Sequence, residues 1–203
     1  MNNASGLNVS RETYIQLEGY VDLLLTWTKK INLISSASIP DVWERHIRDS
    51  VQVFNAAPRF GDIWLDIGSG GGLPGLVVAI LSKEEAPDTS VTLIESDLRK
   101  ATFLRTVVRE LALNANVISA RIDEADRVGA STISARALGT LDSLLGFADY
   151  HLLPDGTAVF PKGATWQKEV DKARESWRFD LDVVESITDK KAAILIIGGI
   201  ARV

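Results

Sequence analysis

Beyond Ser10 the apolar residues Tyr14, Leu17, Val21, Leu24 and Leu25 return at three- and four-residue steps. That spacing lines one face of a helix, and a serine hydroxyl just before it can accept one of the first unpaired N–H groups. A second helix is predicted from Pro40 or Asp41, with Trp43, Ile47, Val51 and Phe54 on one face. Arg45 and Arg48 fall away from that face, toward solvent or a partner. After Pro58 the period changes. Short runs rich in β-branched residues predict strands at 63–67, 91–95, 117–121, 132–135, 158–161, 181–186 and 192–197. Helical patterns fill 74–81, 98–113, 141–152 and 165–176. Strands alternating with helices call for parallel pairing through right-handed crossovers. Only a Thr-Asp-Lys-Lys turn joins the last two strands, so they are expected to form an antiparallel hairpin at or near the sheet edge. The pattern therefore predicts an α/β fold: a seven-stranded, mostly parallel sheet over 59–203, preceded by a small helical subdomain over 1–58.

Composition narrows the class. The 203 residues are 46% hydrophobic and 24% charged, enough apolar material for a sizeable core. No apolar run reaches the ~20 residues that span a bilayer, and the polar start lacks the pattern of a secretory signal. The absence of cysteine excludes disulfides and thiolate chemistry. A net charge of −5 argues against a protein that envelops nucleic acid, although the cations are clustered. Nothing in the pattern demands a dimer, and a monomer is expected.

The most informative stretch runs Trp64-Leu-Asp66-Ile-Gly68-Ser-Gly70-Gly71-Gly72-Leu73-Pro74-Gly75. A strand enters a glycine cluster, and Pro74 is read as opening a helix. Backbone without Cβ atoms lets a ligand lie against bare peptide groups at the carboxyl end of a strand, where doubly wound sheets bind nucleotides. Gly70-x-Gly72-x-x-Gly75 also satisfies the dinucleotide pattern, so a dehydrogenase is one reading. Two features weigh against it. Counted from Gly68, the third glycine position holds Leu73; and Asp66 would repel a pyrophosphate but attract the amino group of S-adenosylmethionine. The methyl donor is favoured, with Asp66, Gly68, Gly70 and Gly72 as its loop. Glu95, ending the next strand, can accept both ribose hydroxyls or stand as a solvated strand end. Ile122 and Asp123 suit an adenine, or Asp123 an N-cap.

Several further segments carry a family likeness: 27–33 (Trp-Thr-Lys-Lys-Ile-Asn-Leu), 44–50 (Glu-Arg-His-Ile-Arg-Asp-Ser), Leu93-Ile-Glu95 with Arg99-Lys100, Ser134-Ala-Arg-Ala137 and Pro161-Lys-Gly163. Together with the glycine loop, the sequence resembles the bacterial small-subunit rRNA guanine-N7 methyltransferases, also called glucose-inhibited division protein B. The likeness runs from residue 17 to 163, and the Arg-His-Ile-x-Asp-Ser and Ser-x-Arg-Ala elements are its most specific parts. It departs in Thr28, where the family commonly has Asn, and in a C-terminus reduced to Ala201-Arg-Val203. The resemblance implies a Rossmann-like class I fold, S-adenosylmethionine as methyl donor, no metal, and one guanine near the decoding centre of 16S rRNA as acceptor. The substrate would be free rRNA, a 30S subunit or an assembly intermediate. Gly68, Leu73, Ile122, Asp123 and Arg136 fall at the family's cofactor-contacting positions.

Guanine N7 carries a free lone pair, so no general base is required, and holding N7 in line with the methyl group can supply most of the catalysis. No catalytic residue is certain; Arg136 is the candidate, as a ligand of the methionine carboxylate, a phosphate or guanine O6, or else as a structural ion pair. Lys29, Lys30, Arg45, His46 and Arg48 form a basic concentration expected to meet RNA. Lys100 and Lys162 are candidates on the sheet edge, Lys162 as a phosphate anchor or a plain solvated lysine. The same residues leave room for a small-molecule methyltransferase, or for a non-catalytic RNA-binding module on this fold.

Overall fold

A computed structural model of the chain describes residues 7–58 and 61–203. Seven strands form one sheet in the order β3-β2-β1-β4-β5-β7-β6. They are β1 Ile63–Ile67, β2 Ser90–Ile94, β3 Ala115–Ile118, β4 Ala130–Ser134, β5 Leu152–Lys162, β6 Trp177–Glu185 and β7 Ala193–Arg202. The first five run parallel. β7 is antiparallel to both β5 and β6, which places the hairpin at the edge as its short turn requires. Crossover helices α3 Gly75–Glu85, α4 Leu98–Glu110, α5 Leu141–His151 and α6 Trp166–Ala173 follow the order of the pattern.

The two faces of the sheet are read directly from strand alternation. Trp64, Val91 and Val159 turn toward a cluster shared with α3, α4 and the N-terminal helices, while Leu65, Ile67 and Phe160 turn toward α5 and α6. Helices α1 Arg11–Thr28 and α2 Asp49–Ala56 bury Leu17, Leu24, Val53 and Phe54 in the first cluster. Trp27 packs on Phe103 of α4 at 5.6 Å, and Tyr14 stacks on Trp43 at 5.3 Å. Ser10 caps α1 by accepting the Thr13 N–H at 3.1 Å. Its hydroxyl and that of Thr13 donate to Glu84 at 2.6 and 2.8 Å, pinning the start of α1 to the end of α3.

Several boundaries differ from the pattern, among them the starts of β5 at Leu152 rather than 158 and of β6 at Trp177 rather than 181. Pro74 is the N-cap of α3, which begins at Gly75, and that helix continues through the polar run to Glu85. Instead of one α-helix from Pro40 or Asp41, the chain makes a π-helical turn at Trp43–Arg48 and only then enters α2. The extra residue of a π turn leaves no mark in hydrophobic spacing, and such turns are frequent at functional sites. β7 runs past Gly198-Gly199 to Arg202, because Gly199 takes φ +59° and an irregularity between Arg178 and Asp180 absorbs the kink. No helix starts at Asp123; a turn closes there, with the Glu124 and Ala125 N–H groups both donating to the Arg121 carbonyl.

Candidate active site

The glycine loop leaves β1 through Gly68, Gly70 and Gly72 at φ +63°, +54° and +83°, all in the left-handed region. At Gly70 an added Cβ would meet nothing nearer than the Gly68 carbonyl at 3.8 Å, so a side chain there would project into the adjoining cavity. Glu95, at the end of β2 and 7% exposed, orders the loop. Its Oε2 accepts the Gly70 N–H and its Oε1 the Asp97 N–H, both at 2.8 Å. Asp97 in turn caps α4 by accepting the Arg99 N–H at 2.8 Å, which sets Lys100 in the first turn on the cavity wall.

This cavity, about 550 Å³, is lined by Gly68, Gly70, Glu95, Ile122, Asp123 and Phe147 among others. Each Glu95 oxygen keeps a lone pair beyond the one used by the loop. An acceptor-only carboxylate between a side-chain-free loop and the apolar Ile122 and Phe147 fits an adenosyl group. Asp123 is exposed and pairs with Arg121 at 3.1 Å, an arrangement that lowers its carboxyl below the usual range. Buried His151 at the end of α5 contacts the Ile122 carbonyl at 3.2 Å, bracing that wall from behind.

Asp66, Gly72 and Leu73 do not line it. Asp66 shares the Trp64 side of β1, so alternation sends its carboxylate under the loop and against Gly75, where an added Cβ would lie 2.7 Å from it. Ser134 donates to Asp66 Oδ1 at 2.7 Å and accepts the Trp64 indole N–H at 2.9 Å, while Asp66 Oδ2 is buried without a hydrogen-bond partner. Burial pushes the Asp66 carboxyl up to about 6, against the Ser134 hydrogen bond. The expected direct attraction of Asp66 for a ligand amino group thus becomes an effect from beneath the loop. Leu73 is buried in the apolar cluster with α1. Tyr20 of α1, absent from the sequence reading, is wholly buried and donates to the Gly71 carbonyl at 2.6 Å.

A second, larger cavity of about 910 Å³ adjoins the first, and Ala137 lines both. Ala137 itself sits at φ +54°, a conformation strained for any residue with a Cβ. The preceding residue, Arg136, leaves β4 and joins the N-terminal helices to the sheet. It donates to His46 Nδ1 at 3.0 Å and to the Arg45 carbonyl at 3.2 Å, and pairs with Asp49 at 3.4 Å. A guanidinium donor at Nδ1 requires neutral His46 to carry its proton on Nε2, which meets the Ser38 hydroxyl at 2.8 Å. Burial, reinforced by Arg136 and opposed by Asp49, holds His46 down at about 4. The π turn is what brings Arg45, His46 and Asp49 to this one guanidinium.

The opposite wall is the β6–β7 turn. Asp49 Oδ1 accepts from Gln52 at 2.8 Å and from the Thr188 hydroxyl at 3.0 Å, and Gln52 accepts the Ile187 N–H at 3.0 Å. Lys190 and Lys191 lie on the same wall, exposed. Lys162 is neither solvated nor unpaired: its side chain is 9% exposed, 2.7 Å from Glu169 and 2.8 Å from the Gly139 carbonyl. It braces the loop after β4. Arg48 pairs with Glu44 at 3.1 Å, and Arg45, Lys29 and Lys30 are exposed. Gln52, Thr188, Lys190 and Lys191 were not expected; the only signal was the lysine pair in a turn read solely as a turn.

A sheet of this order and direction, with an acidic residue after the second strand facing a glycine loop, is that of the Rossmann-like methyltransferases. A methyltransferase of Aquifex aeolicus described as S-adenosylmethionine-dependent superposes with a TM-score of 0.59 at 16% identity, over 78% of this chain and 92% of that one. Sequence comparison is more specific. The family model GidB, described as rRNA small subunit methyltransferase G, matches residues 13–196. "Ribosomal RNA small subunit methyltransferase G" of Ruegeria sp. (strain TM1040) is 56% identical over 97% of this chain and 96% of its own. The protein of that name from Ruegeria pomeroyi is 51% identical over 99% and 98%. The chain belongs to the GidB family.

Proposed function

We propose that this protein methylates N7 of one guanine of 16S rRNA near the decoding centre, with S-adenosylmethionine as donor, in the bacterial cytoplasm. The observation that carries this reading is the pair of cavities that share Ala137 in their walls: one suited to an adenosyl group, the other roomier, with Arg45, Lys190 and Lys191 on its walls. Bound in the smaller cavity, the cofactor supplies an electrophilic methyl group on a sulfonium. Guanine N7 would meet that group with a lone pair already free, so the chain would need to supply orientation and no general base.

The chain's own residues then have positional work. Glu95 accepts the ribose hydroxyls, Ile122 and Phe147 flank the adenine, and Arg136, held by His46 and Asp49, lines the larger cavity next to Ala137, the residue common to both. The remaining Arg136 donors suit the methionine carboxylate or guanine O6. Orientation within ~3–3.5 Å is the main catalytic contribution asked of such a site. Lys29, Lys30, Arg45 and Arg48 approach the RNA backbone, and Lys100 the adenosine edge. The test is transfer of labelled methyl to 30S subunits from a strain deleted for this gene, followed by mapping of the product. A single N7-methylguanosine supports the reading. Cofactor binding with no transfer to 30S, naked 16S rRNA or precursor particles would refute it and favour a small-molecule acceptor.

A further inference from the structure

We propose that the β6–β7 turn is a second RNA contact, in which Lys190 and Lys191 hold phosphates flanking the target nucleotide and the Trp166 indole stacks on a neighbouring base. The inference rests on the RNA-substrate reading above. Lys190 and Lys191 line both the larger cavity and an adjoining groove of about 530 Å³ that Trp166 also lines. The two depressions therefore share the turn as a common rim, and a strand leaving the larger cavity by that side passes both ammonium groups and reaches the indole.

Lys190 and Lys191 share with Arg45 and Lys100 the lack of a carboxylate partner among the described residues, unlike most cations around the site. Arg48, Arg121, Arg136 and Lys162 are each committed to a carboxylate. Among the described residues Lys190 and Lys191 are in no ion pair, and both are exposed. Two carboxylates lie close by. Asp189 is engaged through Oδ1 by the Lys191 N–H at 2.9 Å, and Glu185 lines the groove. The turn is also fixed: Gln52 and Asp49 of α2 hold Ile187 and Thr188, so the lysines stand on a positioned platform. Trp166 opens α6, half-buried, with its backbone N–H donating to the Gly163 carbonyl at 3.1 Å. Its side chain packs at the margin of the apolar cluster under α5 and α6, stacks on no other aromatic among the described residues, and also lines the groove, where a base would meet it. Phosphate neutralisation plus aromatic stacking is how single-stranded nucleic acid is held without sequence readout.

The test measures KM for unmodified 30S subunits at several KCl concentrations, alongside S-adenosylhomocysteine affinity and melting temperature. Lys190→Ala/Lys191→Ala is expected to raise KM about tenfold near 0.1 M salt and to reduce the salt slope by about two phosphate contacts. Trp166→Ala is expected to raise KM about tenfold with the slope unchanged, and Trp166→Phe to restore most of it. Cofactor affinity stays at wild type in all of them, as does melting temperature in the lysine variant; Trp166→Ala lowers the melting temperature because its ring packs on the apolar cluster, and Trp166→Phe keeps most of that packing. A wild-type KM and slope in the double lysine variant overturns the phosphate contact. An alanine variant indistinguishable from wild type, or one that phenylalanine does not rescue, overturns the stacking. Wild-type protein that methylates no RNA overturns the substrate reading itself, a different failure visible before any variant is made.

Discussion

The two cavities meet at one residue but are built in opposite ways. The smaller draws its floor from a contiguous loop at the end of β1 and its acceptor from the end of the adjacent strand. The larger is assembled from the π turn and α2, the end of β4, and the distant β6–β7 turn. Its cohesion is polar: Arg136 to His46 and Asp49, then Asp49 and Gln52 to Thr188 and Ile187. A cavity made by one local motif can be recognised from a dozen residues. A cavity made by long-range hydrogen bonds between ordinary polar residues has no local signature.

The sharpest way to break the comparison is at Gly70. Gly70→Val forces a β-branched residue into φ +54° and fills the smaller cavity, so S-adenosylhomocysteine affinity should fall a hundredfold or more, about 3 kcal/mol. Calorimetric titration measures it; unchanged affinity would remove the loop from the cofactor site. A smaller effect should appear on the other side of Ala137. Reversing Arg45 and Arg48 to Glu is expected to raise KM for RNA about tenfold and flatten its salt dependence while cofactor affinity stays intact. Loss of cofactor affinity instead would show that the π turn serves folding rather than recognition.

The last effect falls on stability rather than on either ligand, and it lies beneath the glycine loop. Asp66 titrates near 6 in the folded protein against about 3.9 unfolded. Between those values the folded state keeps a proton that the unfolded chain has released, so stability falls as pH rises from about 4 to 6 and is flat above. The change is up to about 3 kcal/mol. Asp66→Asn should lack this slope, so the difference between the two urea-unfolding energies should grow from pH 4.5 to pH 7. Parallel curves would mean that Asp66 is already ionised in the fold.

The same contrast governs what could be read in advance. Alternating strands and helices foretold the sheet and its edge hairpin, because each rests on local periodicity and on one short turn. The loop, Glu95 and the Ile122 wall were visible because strand ends in this topology converge at one edge. The burial of Asp66 follows from alternation: in phase with Trp64, a core residue, it points under the loop. The extension of β7 was hidden by Gly198-Gly199, which ordinarily ends a strand. Tyr20, Gln52 and Thr188 were out of reach, since nothing near a helical tyrosine or glutamine says which distant backbone group it will meet.

The sharing of Ala137 by both cavity walls has a thermodynamic consequence for the function proposed above. A donor in one cavity and an acceptor in the other would both border this left-handed residue, so their affinities would be coupled. Linkage then makes their effects symmetrical: whatever factor the donor imposes on affinity for the acceptor, the acceptor must impose on affinity for the donor. The demethylated donor, which lacks the transferred group, exerts its own factor, and the ratio of the two fixes how strongly completed transfer favours release of the RNA.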